Sequence, residues 1–252
     1  MSAQELSGST ALVTGASRGF GRGIAIALAG VGANVVGVAR DRARLEELRA
    51  QLGDAFTPVA ADVADPVVAG ELTDIYHPRV LVLAAGAAPL SRPLHRHTWE
   101  TFSSNWNTDV RQVFHWSREA LLRPLDEGSV VIAFSSGAAL RGSPLSGGYA
   151  GSKATIRFVA AYAADESERA GLGIRFVSVL PQLTPATELG AAAVAAYARR
   201  ADTDLATFTE NLGPPLTPEH AGKAILDLIE TPAPGEGAEA YLLTSGGLRP
   251  VP

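Results

Sequence analysis

The chain reads Thr14-Gly15-Ala16-Ser17-Arg18-Gly19-Phe20-Gly21 between the apolar run Ala11–Val13 and the helix-like stretch Ile24–Ala29. This arrangement is typical of a turn that joins a buried strand to a helix. Backbone N–H groups and a helix N-terminus can hold a phosphate at such a turn. Glycine is needed there because a Cβ atom would obstruct the tight turn and the close approach of a pyrophosphate. The stretch therefore predicts a nucleotide site.

A second pattern, Tyr149-Ala150-Gly151-Ser152-Lys153, lies in the middle of the chain, and Ser136 precedes the tyrosine by thirteen residues. The ordinary pKa of tyrosine, about 10, is too high for a base near neutrality. A lysine four residues later on the same helix face can lower it by stabilising the phenolate. Ser136 can donate a hydrogen bond to a carbonyl oxygen or accept one from an alcohol. These residues predict a proton-transfer site.

Apolar runs alternate with helical patterns along the whole chain. Near-continuous Val, Ile, Leu and Ala content is typical of parallel strands buried on both faces, and the alternation predicts a doubly wound α/β sheet. The strand candidates are 11–14, 34–39, 56–60, 80–84, 130–134, 174–180 and 240–243. The helix candidates include 43–52, 99–122, 150–170 and 219–229. Ligands of such sheets bind at the carboxyl ends of the strands.

Each motif alone is weak, because a glycine-rich turn is often only a turn and a Tyr-Lys pair is common on helix surfaces. Their order and separation together resemble the short-chain dehydrogenase/reductase family over nearly the whole chain. The resemblance implies a Rossmann fold with a seven-stranded, mostly parallel sheet in the order 3-2-1-4-5-6-7. It also implies one dinucleotide-binding and catalytic domain over residues 1–252, and a homodimer or homotetramer. We prefer Ser136 to its neighbour Ser135 because its spacing to Tyr149 matches the family.

The residues after the second strand bear on the cofactor. Ala39 stands at the strand end, where many dinucleotide enzymes have an acidic residue for the ribose 2′-hydroxyl, and Arg40 follows it. Arg40 and Arg18 can both bind a 2′-phosphate, so by resemblance the pair indicates NADP(H). Both arginines could also simply face solvent. Asp41 could restore some affinity for NAD(H), which stays possible.

Further cofactor contacts are implied by the resemblance. Asp62 corresponds to an aspartate that binds the adenine amino group, with Val63 against the ring, although Asp62 could equally cap the next helix. Leu83-Ala84-Ala85-Gly86 stands where the family usually has Asn-Asn-Ala-Gly. The expected cofactor-binding residues are Gly15, Ser17, Arg18, Gly19, Phe20, Gly21, Arg40, Asp62, Val63, Ala85, Gly86, Tyr149, Lys153, Pro181 and Thr184.

The expected catalytic residues are Ser136, Tyr149, Lys153 and Asp109. Asp109 stands where the family has an asparagine that anchors a water in the proton relay. An ionised aspartate accepts hydrogen bonds and donates none, so it could hold the water or draw Lys153 toward itself. Asn107 lies on a different helical face and could replace it only with a local bulge. Pro181-Gln182 also replaces the family's usual Pro-Gly.

The alternation of strand and helix patterns is interrupted between Pro181 and Pro218. We call residues 182–217 the insertion; it contains the alanine-rich stretch Ala191–Tyr197. The resemblance implies that it is a lid over the substrate, and the alternative is a packing helix without substrate contact. His95 and His97 are candidates for the mouth of the site. The candidate pocket residues, which only weakly favour an apolar substrate, are Leu140, Gln182, Leu183, Tyr197 and Phe208.

Composition narrows the class of function. A net charge of −5 without a dense basic stripe argues against nucleic acid as a partner. No segment is long and apolar enough to predict a membrane span, the first residues lack a secretory leader pattern, and we expect a cytoplasmic protein. No cysteine is present, and the five histidines predict no metal site. We therefore expect an NADP(H)-dependent oxidoreductase acting on a ketone or secondary alcohol; the alternatives are a non-catalytic NADP(H)-binding protein and an epimerase or dehydratase on the same scaffold.

Overall fold

The computed structural model describes residues 6–230 and 239–251. Eight strands form a single sheet in the order β3-β2-β1-β4-β5-β6-β7-β8. All neighbours are parallel except β7 and β8, which pair antiparallel. The strands are β1 Thr10–Thr14, β2 Asn34–Ala39, β3 Phe56–Ala60, β4 Val80–Leu83, β5 Val130–Phe134, β6 Arg175–Pro181, β7 Glu239–Thr244 and β8 Gly247–Pro250.

Helices cover both faces of this sheet, as the apolar character of the strands predicts. The helices are α1 Gly19–Gly30, α2 Arg42–Leu52, α3 Pro66–Tyr76, α4 Trp99–Asn105, α5 Arg111–Leu122, α6 Ala138–Arg141, α7 Gly147–Arg169, α8 Glu188–Arg200, α9 Leu205–Asn211 and α10 Pro218–Glu230. One buried cluster joins α1, α2 and α10 to the sheet. A second joins α3, α5 and α7 to its other face. Within β1, Ala11 and Val13 belong to the first cluster and Leu12 to the second, which is the alternation of a strand buried on both sides.

The predicted doubly wound Rossmann fold and the order of its first seven strands are confirmed. The strand count of seven was one too low, because β8 was not recognised. It is a four-residue edge strand that starts at the second residue of Gly246-Gly247, so its pattern is short and carries little apolar periodicity. The ends of the seven predicted strands differ from the observed ends by at most one residue.

The predicted long helix 99–122 is interrupted by a π-helical turn. This turn, Trp106–Val110, connects α4 to α5 and contains Asp109. A π-turn inserts an extra residue into the helical repeat and is frequent at functional sites. The helix thus contains a local bulge, the condition under which Asn107 could replace Asp109. Asn107 nevertheless stays exposed, and Asp109 is fully buried.

The insertion folds as α8 and α9, joined to β6 by the segment after Pro181. Thr187 caps α8 by accepting a hydrogen bond from the Gly190 N–H at 3.1 Å, and Asp204 caps α9 in the same way through Thr207. No helix among the described residues is long and apolar enough to span a membrane.

Candidate active site

The glycine-rich turn between β1 and α1 packs against the end of β4. Gly15 has a φ of +72°, and a Cβ there would lie 2.8 Å from the Ala85 backbone. A Cβ on Gly21 would lie 2.3 Å from the Gly15 carbonyl oxygen. These two glycines are thus required by close backbone approach. The first turn of α1 has no side-chain cap and no acidic residue, so its N–H groups remain available to an anion.

A cavity of about 850 Å³ extends from this turn along the carboxyl ends of the strands. All the predicted cofactor-binding residues line it, as do the four predicted catalytic residues. Sites that lie far apart in the sequence are thus brought into one cleft. We name its two ends after their predicted roles: the adenosine end is lined by Arg18, Arg40 and Arg44, and the catalytic end by Ser136, Tyr149 and Lys153.

The catalytic end is built on α7 and on the segment after β5. Tyr149 and Lys153 are one helical turn apart near the start of α7, and the Lys153 ammonium lies 5.5 Å from the centre of the Tyr149 ring. The Ser135 hydroxyl donates to the Lys153 carbonyl oxygen at 2.7 Å and is buried. Ser136 is only partly buried, and its hydroxyl accepts from the Ala138 N–H at 3.2 Å. This division of roles favours Ser136 as the serine that meets a substrate.

Lys153 forms a buried ion pair with Asp109. The ammonium lies 3.1 Å from Asp109 Oδ2 and donates to the Phe134 carbonyl oxygen at 3.0 Å, and the two side chains are 6% and 0% exposed. Burial lowers the pKa of Lys153, but the charges of Asp109 and Tyr149 outweigh it and hold that pKa above its ordinary value. Asp109 Oδ1 accepts from the Ala87 N–H at 2.8 Å. Of the two possibilities that the sequence left open, the structure shows direct pairing with Lys153.

The loss of the family's asparagines after β4 is compensated from the helix opposite. Gln112 is fully buried; its carbonyl oxygen accepts from the Thr14 hydroxyl at 2.6 Å and its amide donates to the Ala85 carbonyl oxygen at 2.9 Å. Asn105 donates to the Ala87 carbonyl oxygen at 2.7 Å. Sequence reasoning missed both residues. Asn105 lies four residues before Asp109 and Gln112 three residues after it. This helical spacing is the signal by which the sequence could have indicated them.

The adenosine end combines three arginines with two carboxylates. Arg44, which sequence reasoning missed, lies one turn into α2. Asp41 caps α2 through the Arg44 N–H at 3.1 Å and lies 3.4 Å from the Arg44 side chain. Arg40 is exposed and forms no hydrogen bond or ion pair with any of the residues that the structure describes. It is the arginine best placed to meet a new anion.

Asp62 does not cap the next helix, so that interpretation was wrong. Asp65 caps α3 instead, by accepting from the Val67 N–H at 2.9 Å. Asp62 Oδ1 accepts from the Ala64 N–H at 3.0 Å, which shapes the turn after β3 and leaves the residue at the cavity wall. Next to Asp62, the Val63 carbonyl oxygen accepts a hydrogen bond from the Trp116 indole at 2.9 Å, which holds the Val63 backbone in place.

The insertion forms part of the cavity wall. Thr184, Thr187 and Glu188 all line the cavity. Thr187, which sequence reasoning missed, lies 3.7 Å from the position of a Cβ on Gly19. The Thr184 hydroxyl is already engaged with the Leu216 carbonyl oxygen at 2.9 Å. Farther along α8, the Tyr197 hydroxyl hydrogen-bonds to Ser143 in the loop before α7.

The pocket predictions are confirmed for four of the five candidates. Leu140, Gln182, Leu183 and Tyr197 line the cavity. Phe208, on α9, does not line it. His95 and His97 also lie outside the lining; His97 instead hydrogen-bonds to Thr101 at 3.1 Å. Among the described residues, no group of three His, Cys, Asp or Glu could hold a metal ion.

Comparison with known proteins identifies the family. Residues 9–198 match the family model described as short chain dehydrogenase. The chain belongs to the short-chain dehydrogenase family. Such dehydrogenases and reductases are oxidoreductases, and the two motifs that suggested the family lie within the matched residues.

Relatives of this short-chain dehydrogenase include an uncharacterised short-chain type dehydrogenase/reductase of Sinorhizobium fredii (strain NBRC 101917 / NGR234), 33% identical over 68% of each chain. A serine 3-dehydrogenase of Rhizobium radiobacter is 31% identical over 68% of this chain and 70% of its own. Versicolorin reductase 1 of Aspergillus parasiticus is 34% identical over 60% and 61%. The matches thus span about two thirds of the curated relatives.

Solved structures resemble the whole chain. A 3-ketoacyl-(acyl-carrier-protein) reductase from Brucella melitensis complexed with NADH is 25% identical, with a TM-score of 0.77 over 96% of this chain and 98% of its own. A putative NAD(P) dependent gluconate 5-dehydrogenase from Beutenbergia cavernae with bound NADP is 27% identical, with a TM-score of 0.75 over 88% and 90%. Relatives of this fold therefore bind either nicotinamide cofactor.

Proposed function

We propose that this short-chain dehydrogenase is an NADP(H)-dependent oxidoreductase that interconverts a ketone and a secondary alcohol. The observation that carries the proposal is the joint lining of one cavity by the glycine-rich turn, the arginines of the adenosine end, and Ser136, Tyr149 and Lys153. Reduction of a carbonyl group requires the transfer of both a hydride and a proton. A phosphate-binding turn for the cofactor and a proton-transfer site in the same cleft meet both requirements.

The residues of the cleft fit a dinucleotide. The uncapped N-terminus of α1 offers N–H donors for a pyrophosphate, and the absence of a Cβ on the turn lets it approach closely. Arg18, Arg40 and Arg44 supply positive charge for a 2′-phosphate. Ala39 at the end of β2 removes the carboxylate that would repel it. This end of the cleft supports a preference for NADP(H), with NAD(H) as the weaker ligand.

At the catalytic end, Tyr149, Lys153, Pro181 and Thr184 would hold a nicotinamide, which would supply or accept the hydride of the reaction. For reduction, Ser136 donates a hydrogen bond to the substrate carbonyl oxygen and Tyr149 gives that oxygen its proton. Lys153 stabilises the resulting phenolate, and the proton is replaced from solvent. Oxidation of the alcohol runs the same path in reverse. Asp109 holds Lys153 in place and offsets part of its charge.

The substrate side of the cavity is mostly apolar. Its walls are formed by side chains of the α6 region and of the insertion, namely Leu140, Leu183, Leu189 and Ala193, with Gln182 and Tyr197 as polar groups. Apolar walls with a few convergent polar groups favour a largely apolar ketone. The polar groups would then orient it rather than bind a charge.

Turnover assays test this proposal. The protein is incubated with NADPH and a panel of aliphatic, alicyclic and aryl ketones, and the loss of nicotinamide absorbance is followed. We expect turnover with apolar ketones and a much smaller rate with NADH. If no ketone or alcohol is converted while NADPH binds tightly, the oxidoreductase proposal is contradicted.

The alternative of a cofactor-binding protein without turnover has one observation in its favour. The ion pair with Asp109 neutralises Lys153, the cation that should activate Tyr149. The same panel separates the two functions. A binding protein would retain tight NADPH affinity but convert no substrate, and if the ion pair is what blocks turnover, Asp109→Asn would restore it.

We also propose that the chain forms a homo-oligomer in the cytoplasm. Exposed aromatic and aliphatic side chains cluster on two helices that pack together, namely Phe114 and Leu122 on α5 and Phe158 and Tyr162 on α7. Exposed apolar side chains on neighbouring helices favour contact with another copy. Light scattering measures the oligomeric state; a monomer at all concentrations would contradict this proposal.

A further inference from the structure

Glu188 connects the insertion to the adenosine end of the cleft. It is the first residue of α8, and its two carboxylate oxygens pair with two different arginines. Oε2 lies 2.5 Å from Arg18 Nη1, and Oε1 lies 2.8 Å from Arg44 Nη1. Arg18 belongs to the glycine-rich turn and Arg44 to α2, so a single carboxylate bridges three elements of the fold.

The carboxylate of Glu188 competes with an incoming phosphate for the same arginines. Hydrogen bonds from Arg44 and Arg18 lower the pKa of Glu188, so it is ionised at neutral pH. It therefore occupies the guanidinium donors that an incoming dianionic phosphate would use, while Arg40 remains without a partner among the described residues. All three side chains of the bridge are substantially exposed, at 39% to 56%, so water screens the pairs and the carboxylate can be displaced.

We propose that Glu188 is a specificity-determining residue that opposes the 2′-phosphate: it fills the phosphate donors of Arg18 and Arg44, and NADP(H) must displace it whereas NAD(H) need not. The proposal rests on the proposed function, because it assumes that the 2′-phosphate binds at these arginines. It has a structural consequence. Displacement of Glu188 frees the first turn of α8, so the phosphate of the cofactor and the position of the insertion are coupled.

The test uses two probes that differ only in the 2′-phosphate, adenosine 2′,5′-bisphosphate and adenosine 5′-monophosphate. Their dissociation constants are measured by isothermal titration for the unmodified protein and for Glu188→Gln, which keeps the size of the side chain and removes its charge. We expect Glu188→Gln to tighten the bisphosphate by about two- to fivefold, the range for an exposed ion pair, and to leave the monophosphate unchanged. Glu210→Gln is the matched control, because Glu210 is an exposed glutamate of α9 that does not line the cavity.

The outcomes separate this proposal from the function on which it rests. If neither the unmodified protein nor Glu188→Gln prefers the bisphosphate, both are wrong, because the arginines then bind no 2′-phosphate. If the unmodified protein does prefer the bisphosphate but Glu188→Gln leaves or weakens its affinity, the role of Glu188 is wrong and the NADP(H) preference stands. Equal tightening by Glu210→Gln would show a general charge effect and would likewise overturn the role of Glu188.

Discussion

Carboxylates pair with cations at both ends of the cleft, but in opposite surroundings. At the catalytic end, Asp109 and Lys153 are 0% and 6% exposed and lie 3.1 Å apart. At the adenosine end, Glu188 and Arg18 are 56% and 54% exposed and lie 2.5 Å apart. The exposed pair is shorter, yet water screens it and compensates either partner when the pair breaks. The buried pair has no such compensation, so removal of one partner leaves an isolated charge.

This contrast indicates which parts of the cleft are rigid and which can be adjusted. The catalytic end must keep Tyr149 and Lys153 in a constant geometry, and a buried pair that is costly to break serves that purpose. The adenosine end must admit a charged ligand, and exposed pairs that exchange with it at low cost suit that task. Substitutions at each end of the cleft can therefore test this contrast separately.

The largest effect is expected from Tyr149→Phe. It removes the proton donor of the catalytic end and little else, so we expect turnover to fall by about 10²- to 10⁴-fold while the dissociation constant for NADPH changes little. Steady-state kinetics and titration measure the two quantities. Tyr162→Phe is the control, since Tyr162 lies on the same helix and is 68% exposed. Substantial turnover by the Tyr149→Phe variant would mean that another group supplies the proton.

Asp109→Ala should break the buried ion pair with Lys153 and show how much this pair contributes to the free energy of unfolding. An unpaired ammonium at Lys153 would cost about 3–5 kcal/mol of unfolding free energy. Urea unfolding measures this loss. Asp126→Ala, at an exposed position that does not line the cavity, should change stability little. An equal loss of unfolding free energy in Asp109→Ala and Asp126→Ala would show that the pair with Lys153 contributes no particular stability.

Arg40→Asp tests the adenosine end. It replaces the free arginine by a carboxylate that repels a 2′-phosphate and can accept from a ribose hydroxyl. We expect the ratio of kcat/KM for NADPH to that for NADH to fall by about tenfold or more, since a charged hydrogen bond is lost. Turnover at saturating NADH should persist. An unchanged ratio would remove Arg40 from the phosphate site.

The smallest of these effects is a shift of the pH profile in Asp109→Asn. Without the carboxylate, Lys153 loses the largest influence that raises its pKa, so burial lowers that pKa relative to the unmodified protein. The ammonium is then no longer shared with Asp109 and stabilises the Tyr149 phenolate more strongly. Alcohol oxidation needs that phenolate, so its half-maximal rate should move to lower pH, by about one pH unit. A shift to higher pH would contradict the effect of Asp109 on Lys153. If neither Asp109→Asn nor Asp109→Ala alters the rate or the profile, Asp109 lies outside the proton path.

The features that the sequence predicted correctly are local or depend on simple periodicity. The glycine-rich turn and the Tyr149–Lys153 pair each lie within eight residues, and the apolar strands repeat visibly between helices. Parallel sheets place the carboxyl ends of their strands at one edge, which is why the predicted residues meet in one cavity. The doubly wound topology followed from the same alternation.

The features that the sequence did not predict depend on tertiary contacts. Glu188 meets Arg18 and Arg44 across 170 and 144 residues, and nothing in the alanine-rich insertion marks that glutamate in advance. Gln112 was missed because its role exists only once α5 packs against the end of β4. The inward direction of Asp109 depends on a π-turn that helical periodicity does not anticipate. Phe208 was misplaced because the course of α9 could not be deduced from its composition.

A crystal structure of the protein with NADPH bound would test whether one ligand joins the two ends of the cleft. We expect the 2′-phosphate within hydrogen-bond distance of Arg40 and of at least one of Arg18 and Arg44, with Glu188 moved away from that arginine. At the other end, Tyr149 Oη and Lys153 Nζ should face the nicotinamide ribose, with the Asp109 pair intact. A 2′-phosphate that contacts none of the three arginines, or a nicotinamide that lies away from Tyr149, would contradict this assignment of the cleft.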